Sequence, residues 1–190
     1  MNTRSARGAS KPPSPRKLDV AALARDGQSL SGEWPAVELA RLAEAAAPEA
    51  PAAGWSPVQW SVRGELRQPR GGEAQTWMLL EASAEVALSC QRCLQPVREN
   101  LQFSRWFRFV RDEAEAAELD ADSEDEVLAL TRALDLQELV EDELLLDLPL
   151  VPRHEVCPEA LPQAVGEAEL EQAESEKPNP FAVLAALKKK

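Results

Sequence analysis

Three stretches of two-residue alternation follow one another with short breaks, and they limit the fold of this chain more than any other feature. Val58, Trp60, Val62 and Leu66 alternate with Gln59, Ser61, Arg63 and Glu65. Met78, Leu80, Ala82, Ala84, Val86 and Leu88 share one face of a second segment, and Leu101, Phe103, Phe107 and Phe109 one face of a third. Successive side chains of a strand point to opposite faces, so each segment reads as a strand with one face buried and one wet. Pro69 with Gly71-Gly72 punctuates the first interval and Cys90 to Pro96 the second, both short enough for a turn. The expectation is an α+β fold: an antiparallel β meander or small open barrel with flanking helices and disordered tails.

The flanking helices have their own signals. Val37, Leu39, Ala40, Leu42, Ala43 and Ala46 recur near helical spacing, which predicts a helix over 36–47, stopped by Pro48 and Pro51. Leu18 to Leu30 is apolar and broken at Asp26-Gly27; it reads as a strand or short helix followed by a turn. Asp135 can cap a helix with Glu138 in its first turn, and Leu136, Leu139, Val140, Glu143, Leu144 and Leu146 supply its inward stripe up to Pro149. Residues 112–126 carry nine acids and no base and read as a solvated loop, with Val127 to Leu130 as one more short strand.

Charge is divided along the chain. Asp112 to Glu176 holds 22 acids against Arg132 and Arg153, whereas the rest holds 19 bases and 11 acids. With a net charge of −12, such a chain will not coat nucleic acid non-specifically, because phosphate affinity scales with the cations presented. Contact with RNA would need a local basic surface or a protein partner. One candidate is the third strand, Arg105-Trp-Phe-Arg-Phe-Val-Arg111, where Arg105, Arg108 and Arg111 interleave with aromatics; an aromatic core face with arginines outside explains the same pattern. There is no run of eighteen apolar residues and no apolar segment behind the basic N-terminus, so neither a membrane span nor a secretory signal is expected. The expected compartment is the cytoplasm.

All three cysteines and the single histidine fall into two x-x-spaced pairs, Cys90/Cys93 and His154/Cys157. Three thiolates and an imidazole make a tetrahedral set for Zn²⁺, and four protein ligands leave no open position, so the metal would be structural. About sixty residues separate the pairs, so a strand, a loop and a helix must fold back to close the site. Two other readings stay open: unligated thiols with a surface histidine, and a redox C-x-x-C. The redox motif usually opens a helix after a strand, whereas here Pro96 and a strand follow. The acidic run lacks the D-x-D-x-D-G ligand pattern, and no G-x-x-x-x-G-K, G-x-G-x-x-G or G-x-S-x-G occurs. One histidine and no tyrosine leave few players for acid–base chemistry. A non-catalytic protein without a small-molecule substrate is expected.

Three stretches, in order, resemble the YceD family: Leu88-Ser-Cys-Gln-Arg-Cys-Leu-Gln-Pro96, the acidic helix running from Asp135 into a Pro-rich stop at His154, and Lys177-Pro-Asn-Pro-Phe-Ala-Val-Leu-Ala-Ala-Leu-Lys188. Order and spacing match over about 60–190. The resemblance implies a role in synthesis, processing or stability of 23S ribosomal RNA, and so in 50S subunit biogenesis. It implies ribosomal RNA or ribosome-assembly proteins as partners, touched directly or indirectly, and no catalytic mechanism. Cys90, Cys93 and Cys157 match family cysteine positions, and His154 a polar position before the last. A structural zinc adaptor without a direct RNA role is the alternative; a nuclease acting on ribosomal RNA would need a two-metal or acid–base constellation that the chain does not offer. The expected organisation is a disordered basic tail over 1–17, one folded domain over 18–157, an acidic linker over 158–177 and a tip over 178–190. In that tip Phe181, Val183, Leu184 and Leu187 can share a face of a short helix, too short to stand alone in water; its apolar face needs a partner, either its own domain or another molecule on which it docks.

Overall fold

The computed structural model describes residues 14–121, 123 and 125–159. The chain divides into Met1–His154, which carries every named element, and Glu155–Lys190. The expected acidic linker from residue 160 onward, the C-terminal tip, and the first thirteen residues of the expected tail lie outside the described residues.

The elements run α1 (Val20–Arg25), β1 (Ser29–Trp34), α2 (Ala40–Glu44), β2 (Val58–Arg67), β3 (Gln75–Ser89), β4 (Pro96–Val110), α3 (Glu113–Asp120), β5 (Glu126–Ala129) and α4 (Leu136–Leu146). The strands form one open five-stranded sheet in the order β1-β2-β3-β4-β5. β2, β3 and β4 pair antiparallel as expected, with Trp60↔Ala82 and Ser89↔Pro96 among the pairs, and β1 adds an unforeseen antiparallel edge at Trp34↔Val58. β5 lies parallel to β4, with Phe107↔Glu126 and Val110↔Ala129, so the sheet is mixed rather than a pure meander. α3 forms the crossover that a parallel return requires.

The alternation sets the faces. Val58, Trp60, Val62, Met78, Leu80, Ala82, Ala84, Val86, Leu88, Val97, Leu101, Phe103, Phe107 and Phe109 are all buried. α1 packs on β2 and β3, and α4 on β3 and β4. Gly64 sits on this inner face where α1 crosses: a Cβ there would lie 2.5 Å from Ala24 N and Leu23 C, so a side chain would push the helix off the sheet. Leu66, expected on the buried face, is 45% exposed beyond that crossing.

Several local expectations change. The helix expected over 36–47 is a 3₁₀ turn (Ala36–Glu38) followed by the short α2, broken at Leu39 with φ −93° and ψ 82°. The acidic loop is instead largely helical. Asp112 accepts a hydrogen bond from Glu115 N, Glu113 and Glu115 favour the helix N-terminus, and Ala116 buries against Val110 and Val127. β1 continues well past Leu30 as an edge strand, Trp34 stacking on Trp60 at 4.7 Å. Ser14–Lys17, assigned to the tail from sequence, form a turn closed by Lys17 N to Ser14 O, and Leu136 N donates to Pro15 O. α4 is capped as expected, Asp135 accepting from Gln137 N and Glu138 N. Its buried side is Leu136, Gln137, Val140, Glu141, Glu143 and Leu144, while Leu146 turns outward. Among the described residues no helix is long and apolar enough to cross a membrane.

Candidate metal centre

β3 and β4 are joined by a tight turn that presents the first thiol pair. Cys90 N donates to Gln95 O and Leu94 N to Cys90 O. Leu94 carries the strain of the reversal at φ 64°, in the left-handed region that non-glycine residues seldom occupy. This turn is short of apolar contact: Cys90 is buried, but Leu94 is 70% exposed. Polar bonds hold the later segment to it instead. Gln91 N donates to Pro152 O at 2.9 Å, and Arg92 Nη2 donates to His154 O at 2.7 Å.

These bonds deliver His154 to the thiols. Its Nε2 lies 3.0 Å from Pro96 O, and its Nδ1 lies 3.4 Å from Cys93 Sγ. A carbonyl only accepts, so Nε2 carries the proton. In the neutral ring Nδ1 then presents its lone pair toward the sulfur. A backbone carbonyl that accepts from the far ring nitrogen and so fixes the tautomer is the usual arrangement for a metal-ligating histidine.

The ligand atoms of Cys90, Cys93, His154 and Cys157 all lie within 4.8 Å of one another. Bonds of about 2.0–2.3 Å in a tetrahedral Zn²⁺ site put donors about 3.5–3.8 Å apart. The Cys93–His154 separation is already at that value, and the others need shifts of an ångström or less. Burial pushes the Cys90 thiol up, but the backbone N–H groups of Cys93, His154 and Arg92 outweigh it and hold it at about 5. Cys90 is therefore poised as the thiolate, the form that binds metal. No disulfide joins the cysteines.

The arginines expected at an RNA contact are not brought together. The β3–β4 register is regular, so Arg105 and Arg108 leave β4 on opposite faces. Arg105 pairs with Glu126 at 3.2 Å and with the buried Glu143 at 2.8 Å. Arg111, beyond the strand, pairs with Asp112 and Glu115. Phe181, Val183, Leu184 and Leu187 lie outside the described residues. Sequence reasoning missed the backbone pins Gln91–Pro152 and His154–Pro96 and the Arg92 clamp. The arginine was visible inside C-x-R-C, but its carbonyl partner is a main-chain group and leaves no mark in a sequence.

The family model described as large ribosomal RNA subunit accumulation protein YceD matches residues 78–188, from β3 onward and including both ligand pairs. The chain belongs to the YceD family. A YceD relative from Haemophilus influenzae, named large ribosomal RNA subunit accumulation protein YceD, is 39% identical over 108 residues. That match covers 56% of this chain and 62% of the relative, less than two thirds of the latter's length. No solved structure gives a significant match. The YceD match leaves out α1, β1, α2 and β2, the part whose likeness was loose in the sequence.

Proposed function

We propose that this chain is a non-catalytic cytoplasmic factor supporting accumulation of 23S ribosomal RNA, and so of the 50S subunit, and that one structural Zn²⁺ stiffens it. The observation that carries the metal reading is the convergence of Cys90, Cys93, His154 and Cys157 with the histidine tautomer set by Pro96 O. The ribosomal reading rests on membership of the YceD family. With four protein ligands the ion has no open position and activates no water; it ties the β3–β4 turn to the segment that follows α4. Partners are ribosomal RNA or assembly proteins. The segment 178–190 is proposed as a docking peptide that folds on its partner.

Two measurements test these readings separately. Protein purified without added zinc should carry one Zn²⁺ per chain; a content near zero, together with unchanged stability of Cys93→Ser, discards the metal. Deletion of the gene should lower 50S particles in sedimentation profiles, and normal profiles discard the ribosomal role. A chain truncated before 178 that restores 50S levels fully removes the docking assignment.

A further inference from the structure

The outer face of the sheet, away from α1 and α4, carries a cluster that the metal centre does not use. The strand register sets Arg63, Leu79 and Trp106 side by side across β2, β3 and β4, and Glu65, Trp77 and Arg108 in the next row. The Arg67 guanidinium lies 4.0 Å from the Trp106 ring centroid and 4.2 Å from that of Trp77. Arg63 lies 5.6 Å from Trp106, and the two indoles meet edge to face at 6.4 Å. Trp77 is buried beneath this roof, Trp106 is half-buried and Arg63 is exposed.

Arginines stacked on tryptophans could simply shield apolar surface, but the charges point further. The chain has 33 acids against 21 bases, and Arg16, Arg25, Arg41, Arg98, Arg105 and Arg111 all pair with carboxylates. Among the described residues Arg63 and Arg108 make no ion pair, and Arg67 pairs only with Glu65, at 3.0 Å. The three arginines outnumber Glu65, the one carboxylate paired with them, so this aromatic patch is net positive on an acidic protein. A guanidinium held over an indole keeps N–H groups that the ring does not engage, and a phosphate can take them. Beside Arg63 the face dips into a groove of about 400 Å³ lined by Ser29, Ser31, Ser61, Leu79 and Glu81, whose hydroxyls and carboxylate can meet a base edge.

Resting on the ribosomal-RNA reading above, we infer that this face, at Arg63, Arg67, Trp77, Trp106 and Arg108, takes an unpaired segment of RNA. The arginines receive phosphates, and a base stacks on Trp106. Stacking needs bases freed from a helix, so single-stranded RNA is bound and duplex RNA is not. This is the local basic surface that an acidic chain needs for direct contact.

The test uses the full chain and a fluorescein-labelled oligouridylate, followed by anisotropy from about 50 to 200 mM salt. Wild type should bind it and leave a duplex RNA of the same length unbound. Trp106→Leu should weaken binding about tenfold, the loss of one stacked base. Arg63→Gln with Arg67→Gln should weaken it as much and flatten the salt slope by about 1.4, two phosphate contacts on a single strand. Melting curves and metal content of both variants should match wild type; the arginine pair serves if the tryptophan variant is unstable. Absence of wild-type binding at low salt, equal binding of duplex, or folded variants that bind like wild type would each overturn the inference. Normal 50S profiles after gene deletion would instead sink the ribosomal reading while leaving the binding result to stand.

Discussion

The two ends of the long β3–β4 hairpin are held by different forces. At one end the turn from Cys90 to Gln95 buries little beyond the Cys90 thiol and leaves Leu94 exposed. It is held by backbone bonds to Pro152 and His154 and by the thiol–imidazole cluster. At the other end Val110, Ala116 and Val127 form a small apolar cluster of their own, joined by Leu119, with Asp112 capping α3. A segment with enough apolar surface folds by burial; a segment without it needs cross-links, and a metal is the strongest that four soft ligands can make. The contrast gives the proposed Zn²⁺ a mechanical task at one end of the hairpin.

The largest expected effect follows from removing a ligand. Cys93→Ser, or chelation of the wild type, should cost at least about 3 kcal/mol, since structural Zn²⁺ sites contribute about 10 kcal/mol or more in small folds. Hydrogen exchange should rise at 90–96 and 149–154 and stay unchanged in α3. Equal loosening of both ends would break the contrast. Leu144→Ala comes next. Leu144 is fully buried on α4, which bridges to both β3 and β4, so about 3 kcal/mol should be lost in denaturant unfolding with both ends affected alike. Ala116→Gly should cost about 1 kcal/mol from helix propensity and loosen α3 and β5 alone, with metal content unchanged.

The smallest effect sharpens the region between the ends. Burial holds the Glu143 carboxyl above its usual range despite Arg105, and Glu126 and Asp142 add to the rise. The folded chain therefore binds this proton more tightly than the unfolded chain. That contribution is complete below the ordinary glutamate value and is lost as pH rises through the raised one. Glu143→Gln should flatten the decline of stability over that window and leave the variant the more stable form above it. A pH profile parallel to wild type would mean that Arg105 fully offsets the burial.

Much of this was legible because alternation is a local signal. Val58 to Val62, Met78 to Leu88 and Leu101 to Phe109 needed only their own period to be read as strands, and Asp135 needed only its own side chain to mark the start of α4. The spacing of Cys90, Cys93, His154 and Cys157 likewise offered the ligand set before any fold was known. What stayed hidden depends on neighbours. β1 reads Ser-Leu-Ser-Gly-Glu-Trp, with no buried stripe, and exists because β2 offers it a backbone edge. The parallel return of β5 is fixed by α3, whose acids masked three helix-forming alanines. The Trp–Arg platform escaped notice because its members come from three strands and meet only through the register; Arg105 and Arg108 looked like partners in sequence and face opposite ways in the sheet.

The proposed structural Zn²⁺ at the β3–β4 turn is open to X-ray absorption at the zinc edge on protein purified without added metal. The spectrum should show a four-coordinate site with three sulfur ligands at about 2.3 Å and one nitrogen at about 2.0–2.1 Å, converting to two sulfurs in Cys93→Ser. A spectrum dominated by oxygen and nitrogen, or sulfur coordination that Cys93→Ser leaves untouched, would contradict it.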